Sequence, residues 1–425
     1  MKPFQYTDEQ LNFLNRGYNV YSVNKDFVNR KIKEGRIYQY IVDKPNDKLL
    51  SNESNTIRMA DNQQFKVIKT YSDPETGFDG MAVAPIVDGE IDYASVAVIA
   101  AATDNKTIDT KTALLGEGDI KKNHGYYLSE QYTPAEKFVQ SVIDDPRVQE
   151  VTQLSGYSQS AYMMKVGAKF GIPTTTFNAW FHYGSLSKEE KDYIKSHPGL
   201  FVDYRKNKDV VVWLTDGNHP QMAGYDESLG TIYWTDGLSH NVEDWEFDEE
   251  TGRVLDAKTG KPIISAPAYV FAQSARQMLQ FTSLKSKWQQ TGGGLSSAET
   301  IFLDAGQSAI VGSSMAKVAK AGLEEMASLK AKMDSEVEAL WGSIDFSAYS
   351  HLSYWEVQDI FASQGVTYES IVGDFQAYTQ EKVQQMEDLS TTFDTLNTRL
   401  THHVEESLAL DYQLAGEFKT WYKGL

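Results

Sequence analysis

The sequence of 425 residues predicts an α/β domain built on parallel strands, followed by an elongated all-α region. Short apolar and β-branched runs alternate with helical patterns after residue 90, which marks strand–helix–strand crossovers. All eleven prolines lie between Pro3 and Pro267. Proline interrupts helices, so the remainder of the chain is free to be helical throughout. Beyond residue 310, apolar residues recur at steps of three and four. The expected domains are residues 1–290 and 291–425, with Thr291-Gly292-Gly293-Gly294 at the join.

In chain order, Thr7 and Gln10 form a capping-box signature that opens an N-terminal helix. Strands are expected at Phe65–Thr70, Met81–Ile86 and Ala94–Ala101. A helix over Pro134–Ile143 leads to a strand over Val148–Leu154, a helix over Gln159–Phe170 and a strand over Thr174–Phe177. Further strands fit Phe201–Tyr204, Val210–Leu214 and Thr231–Trp234. In the tail, Val311, Met315, Val318, Gly322, Met326, Leu329, Met333, Val337 and Leu340 form one stripe. Ser353 and Glu356 make a second capping box. A stripe from Ile371 through Phe393, Leu396 and Leu400 to Trp421 implies a helix over Thr367–Lys423, on the order of 85 Å long. Such a stripe packs either on the tail's own helices or on a partner.

Composition excludes several classes. Apolar residues make up 41% and aromatic residues 12%, enough for a core and too much for a disordered chain. No apolar run approaches the roughly 18 residues of a spanning helix, and the polar N-terminus carries no visible cleavable signal. The absence of cysteine removes disulfides, thiolate zinc sites and a cysteine nucleophile. Lys and Arg number 40 against 59 Asp and Glu, a net charge of −19. Nucleic acid is therefore not an expected partner, and adsorption to an anionic bilayer is disfavoured. Residues 291–425 hold 8 basic and 20 acidic residues, so −12 of that charge sits in the tail.

The segment Val151-Thr152-Gln153-Leu154-Ser155-Gly156-Tyr157-Ser158-Gln159-Ser160-Ala161 carries the most chemistry. An apolar strand runs into a tight Gly-x-Ser turn and then a helix, which would expose Ser158 above a sheet. Gly156, Ser160 and Ala161 supply the small side chains that such a turn needs. A serine hydroxyl requires a base, and the base requires an orienting acid. Asp209, in the polar turn after Phe201–Tyr204, is preferred for the acid over Asp203 within that strand and Asp216 beyond the next. Asp209 could equally be a turn residue or helix cap. His240, in the loop after Thr231–Trp234, is preferred for the base over His219. His197, before Pro198, reads as a helix end. An oxyanion would need two backbone N–H groups. Gln159 supplies one, and Thr103, after the apolar strand that ends in Ala101-Ala102, is best placed to supply the other, although it reads equally as a plain strand end. No metal-ligand spacing such as H-E-x-x-H occurs, and no cofactor is expected.

These residues resemble the class 3 lipase branch of the α/β-hydrolases. Gly77-Phe78-Asp79-Gly80-Met81-Ala82 is similar to the Gly-Phe-x-x-Met-Ala of related bacterial proteins. The family's Arg-Gly-Ser/Thr reads Ala101-Ala102-Thr103 here, so only Thr103 carries over. Its Gly-His-Ser-Leu-Gly-Gly turn reads Gly156-Tyr157-Ser158-Gln159-Ser160-Ala161, keeping the serine and the first glycine. The acid matches Asp209 and the histidine matches His240. With its helical tail, the whole looks like a Gram-positive type VII secretion lipase toxin of the LXG kind with its domains reversed. Leu340-Trp341-Gly342 is an L-x-G triplet, although Gly342 is equally a helix C-cap.

The resemblance spans roughly residues 60–260 by motif. It implies a secreted serine esterase of phospholipase A type acting on lipid acyl esters, cytoplasmic before export. It also implies small helical partner proteins on the tail and an immunity protein. Two other readings stand beside it: a helical interaction protein with an inactive pseudo-hydrolase head, and an intracellular carboxylesterase.

Overall fold

Thr7 opens the first helix, α1 (Asp8–Leu14), with a reciprocal cap: its hydroxyl accepts the Gln10 N–H, and the Gln10 side chain accepts the Thr7 N–H. The computed structural model describes residues 4–45, 48–104, 112, 126–213, 227–290 and 295–423. His219, Asp216 and the Thr291–Gly294 stretch lie outside the described residues. Two compact units result, residues 1–265 and 266–425.

In the first unit, Asn24 caps α2 (Lys25–Lys33) by accepting the Asp26 and Phe27 N–H groups. Two short strands, β1 (Tyr40–Ile41) and β2 (Glu53–Ser54), pair in parallel. The main sheet holds β3 (Thr56–Arg58), β4 (Gln64–Asp73), β5 (Phe78–Val87), β6 (Glu90–Ile91), β7 (Val96–Ala100), β8 (Val151–Tyr157), β9 (Thr174–Phe177), β10 (Phe201–Lys206) and β11 (Ile232–Thr235). Their order is β11-β10-β9-β8-β7-β5-β4-β3, with β6 on β5. From β7 to β11 all pairings are parallel, while β3, β4 and β5 run antiparallel to their neighbours. The sheet is therefore mixed. Between β4 and β5 the reason is the short Asp73–Gly77 turn, closed by Gly77 N–H on the Asp73 carbonyl at 2.8 Å, which leaves no room for a crossover.

Parallel strands covered on both faces read as continuous apolar runs, and β7 has every residue fully buried. Crossover helices α3 (Tyr132–Ile143), α4 (Met163–Phe170) and α5 (Lys188–Ser196) separate the parallel strands. On α4, a Cβ at Gly167 would stand 1.9 Å from Thr174 Oγ1, so only glycine lets this helix close on β9. The run expected as a strand over Val210–Leu214 is instead a short helix, α6 (Val210–Trp213). Its β-branched side chains favour a strand, but Asp209 Oδ1 accepts the Val211 N–H at 2.9 Å and starts a helix.

The second unit begins earlier than the expected 290/291 boundary, with α7 (Ala266–Gln290), which packs on α8 (Ser297–Gly342). Pro267 explains the shift. As the second residue of α7 it occupies the first turn, where proline costs the helix nothing, so the last proline marks a helix start. A short helix, α9 (Tyr354–Ser363), carries the expected Ser353/Glu356 box. A π turn over Glu369–Gly373 then precedes α10 (Asp374–Lys423), whose 50 residues span about 75 Å. Glycines let the long helices meet: a Cβ at Gly306 would lie 2.2 Å from the Phe281 ring, and one at Gly312 would lie 2.9 Å from Leu400. Leu400 therefore packs within the unit, whereas Leu396 on the same helix is 49% exposed. No helix among the described residues is long and apolar enough to cross a membrane.

Candidate active site

The parallel register aligns the carboxyl ends of the strands. Ala100 pairs with Gly156 and Gly156 with Thr176, while Tyr157 pairs with Phe177 and Phe177 with Tyr204. In open α/β sheets this edge is where ligands bind, because the loops leave a crevice there. Each of β7 to β11 delivers one polar residue just beyond its end: Thr103, Ser158, Asn178, Asp209 and His240.

Ser158 leaves β8 at φ +54°, a left-handed conformation that costs a non-glycine residue about 1–3 kcal/mol. The turn is tight because a Cβ at Gly156 would lie 2.2 Å from the Ser160 carbonyl oxygen. Ser160 braces it from within. Its Oγ accepts the Tyr157 N–H at 2.8 Å and lies 2.9 Å from the carbonyls of Ala100 and Tyr157. A glycine there would offer no such brace. The strain at Ser158 is thus held by neighbours on both sides.

His240 Nε2 lies 2.8 Å from Ser158 Oγ, and Nδ1 lies 2.6 Å from Asp209 Oδ2. A carboxylate facing Nδ1 places the ring proton there, leaving Nε2 to accept the serine hydroxyl. Asp209 is 1% exposed, and its remaining capacity is filled: Asn178 Nδ2 donates to Oδ2 at 2.9 Å, and Val211 N–H to Oδ1. The roles of helix cap and imidazole partner thus coexist on one side chain. Asp203 is fully buried within β10, bound by Arg205 at 2.7 Å and by the Tyr183 hydroxyl at 3.0 Å. His197 stacks on Tyr193 at the end of α5.

Thr103 and Gln159 stand side by side. Thr103 Oγ1 donates to Gln159 Oε1 at 2.8 Å, and Gln159 Nε2 donates to Thr112 and Ser129. The Gln159 N–H belongs to the first turn of the helical segment after Ser158, where it has no intrahelical acceptor.

Several supporting residues carried little or no legible sequence signal. Tyr157 donates its hydroxyl to the His240 carbonyl at 2.6 Å. Burial and the nearby Asp209 charge push its pKa up, so it remains a donor. Asn178 also donates to the Ser239 carbonyl and sits at φ +44°, which asparagine tolerates better than most residues. Its position just past a strand is the one hint the sequence offered. Asn12 on α1 donates to the Val242 carbonyl, and Asn15, the residue that caps its C-terminus, to Ser155 Oγ.

Comparison with known proteins found no match to a family model, a curated protein or a solved structure.

Proposed function

We propose that the first unit is a serine hydrolase of the α/β-hydrolase class that cleaves acyl esters of lipids. The observation that carries this reading is the unbroken hydrogen-bond chain from Ser158 through His240 to Asp209, with the serine strained outward at the end of β8. Ser158 Oγ attacks the ester carbonyl while His240 Nε2 takes its proton. The imidazolium is held by Asp209, and the tetrahedral oxyanion accepts the N–H groups of Gln159 and Thr103. His240 then protonates the leaving alcohol. Water, deprotonated by the same imidazole, releases the acid from the acyl-serine.

The inactive-head alternative gains nothing from the altered turn, because Ser160 supports it where the resembling family has glycine. By that resemblance the lipid is a phospholipid cut at an acyl ester, and the chain is a toxin exported by type VII secretion. Small helical partners then dock on the second unit, and an immunity protein protects the producer. The exposed face of α10 around Leu396 is consistent with such docking.

The test is acid release from phospholipids, neutral acylglycerols and short esters. Ser158→Ala and His240→Ala should each lower turnover by several orders of magnitude with circular dichroism unchanged, and the double variant should lose little more. Wild-type turnover equal to that of Ser158→Ala on every ester would overturn the reading.

A further inference from the structure

A cavity of about 410 Å³ opens beside the triad. Thr103, Tyr157 and Asn241 line it, so it touches the candidate oxyanion loop, the residue before Ser158 and the residue after His240. The triad side chains are not among its lining residues, so a substrate held at Ser158 reaches it by extending past Tyr157 and Asn241. The opposite wall comes from the N-terminal segment. Tyr21 and Phe27 stack there at 5.2 Å, and Tyr38 meets Phe27 edge-on at 5.6 Å.

Charges of both signs line this space: Lys31 and Arg36 against Asp104 and Glu243. Arg30 pairs with Asp104, and Lys31 lies 3.1 Å from Glu34. Arg36, Tyr38 and Glu243 line the same space, so opposite charges share its mouth. An alkyl chain here would desolvate Arg36 and Glu243 together with the Lys31–Glu34 and Arg30–Asp104 pairs. A purely anionic group would face Asp104 and Glu243, and a purely cationic one Lys31 and Arg36. A group bearing both signs matches the walls: phosphate oxygens toward the Lys31 ammonium and Arg36 guanidinium, an ammonium toward Glu243 and the aromatic rings.

We propose that this cavity is the subsite for a zwitterionic phosphoammonium group, the head group next to the ester being cleaved. The assignment rests on the esterase reading above and names the end of the substrate that the leaving alcohol carries. The same chemistry occurs free in solution as a glycerophosphodiester and bound in a membrane as a phospholipid head group.

Two measurements separate these sources and separate this assignment from the reading beneath it. In the first, Ser158→Ala protein is titrated calorimetrically with glycerophosphocholine, glycerol 3-phosphate and choline. Glycerophosphocholine should bind at least about tenfold tighter than either fragment, and Arg36→Glu or Glu243→Lys should remove that margin. In the second, acid release is compared on phosphatidylcholine and phosphatidylglycerol vesicles. Glu243→Lys should lower the choline-to-glycerol rate ratio by about tenfold, since the new cation repels the ammonium and attracts the phosphate. Binding without a lipid preference assigns the cavity to the soluble diester, and a preference with binding assigns it to the head group. Equal binding of all three ligands together with an unchanged rate ratio would overturn the proposal. Wild-type hydrolysis of a short neutral ester reports the esterase reading independently. Should that fail, the titration alone still decides whether the cavity holds a zwitterion.

Discussion

Asn12, on the first helix, donates its side-chain amide to the Val242 carbonyl at 2.9 Å, tying together residues 230 positions apart. Val242 lies two residues beyond His240, so the loop carrying the imidazole is anchored to α1. Both ends of this bond are buried, and an unsatisfied buried carbonyl costs about 1–3 kcal/mol. Asn12→Ala should destabilise the first unit by that amount in urea titrations. It should also lower kcat on a short ester by about tenfold with KM little changed, because the imidazole loses its fixed position. An unchanged kcat would show that Tyr157 and Asn178 hold the loop without it.

Ser160→Ala tests the brace under Ser158, the proposed nucleophile. The variant leaves the Tyr157 N–H without its 2.8 Å acceptor in a buried turn. A stability loss of about 1–3 kcal/mol is expected, along with reduced ester turnover. Ser160→Gly should do worse, because glycine also loosens the unfolded chain. Equal stability of all three proteins in thermal melts would count against the role assigned to this hydroxyl.

Asp79 gives the first unit a pH dependence. Its carboxyl is 3% exposed, and burial raises its pKa to about 6 despite hydrogen bonds from Ser72 and Asn24. The folded value exceeds the unfolded one, so between about pH 4 and 6 the folded state binds more protons. This contribution to stability is fully present below pH 4 and is lost as pH rises through 6. A shift of about two units corresponds to about 3 kcal/mol. Urea denaturation at pH 4.5 and 7.5 should show the wild type losing about 2 kcal/mol of this relative to Asp79→Asn, because the unfolded carboxyl is already mostly ionised at pH 4.5. A difference independent of pH would refute the assignment.

The second unit should distinguish its buried contacts from its exposed stripe. Gly306→Val drives a side chain into the Phe281 ring and should destabilise this unit by about 1–3 kcal/mol. Leu396→Asp alters a side chain that is 49% exposed and should stay within about 0.5 kcal/mol. Separate melting of a fragment covering residues 266–425, itself tested for helicity first, would read both. If Leu396→Asp proves the more damaging, the stripe packs where the structure leaves it open.

Local chemistry made much of this protein legible. The helix caps at Thr7 and Ser353 depend on residues three apart, and the strand–turn–helix at Ser158 on the eleven consecutive residues from Val151 to Ala161, so pattern alone placed them. The order Ser158, Asp209, His240 was also readable, because each follows an apolar strand. Other features required the fold. Val210 to Trp213 reads as a strand by propensity, yet the side chain of Asp209 starts a helix there. The apolar stripe of α10 looks uniform, but Gly312 of α8 makes room for Leu400 while Leu396 stays 49% exposed. Asn12, Asn178 and Tyr157 are ordinary polar residues in sequence. They gain their roles only because parallel register brings the strand ends and the first helix within hydrogen-bonding distance. A periodicity reports which face of an element is apolar; which distant donor meets which carbonyl depends on packing in three dimensions, and no spacing along the chain encodes it.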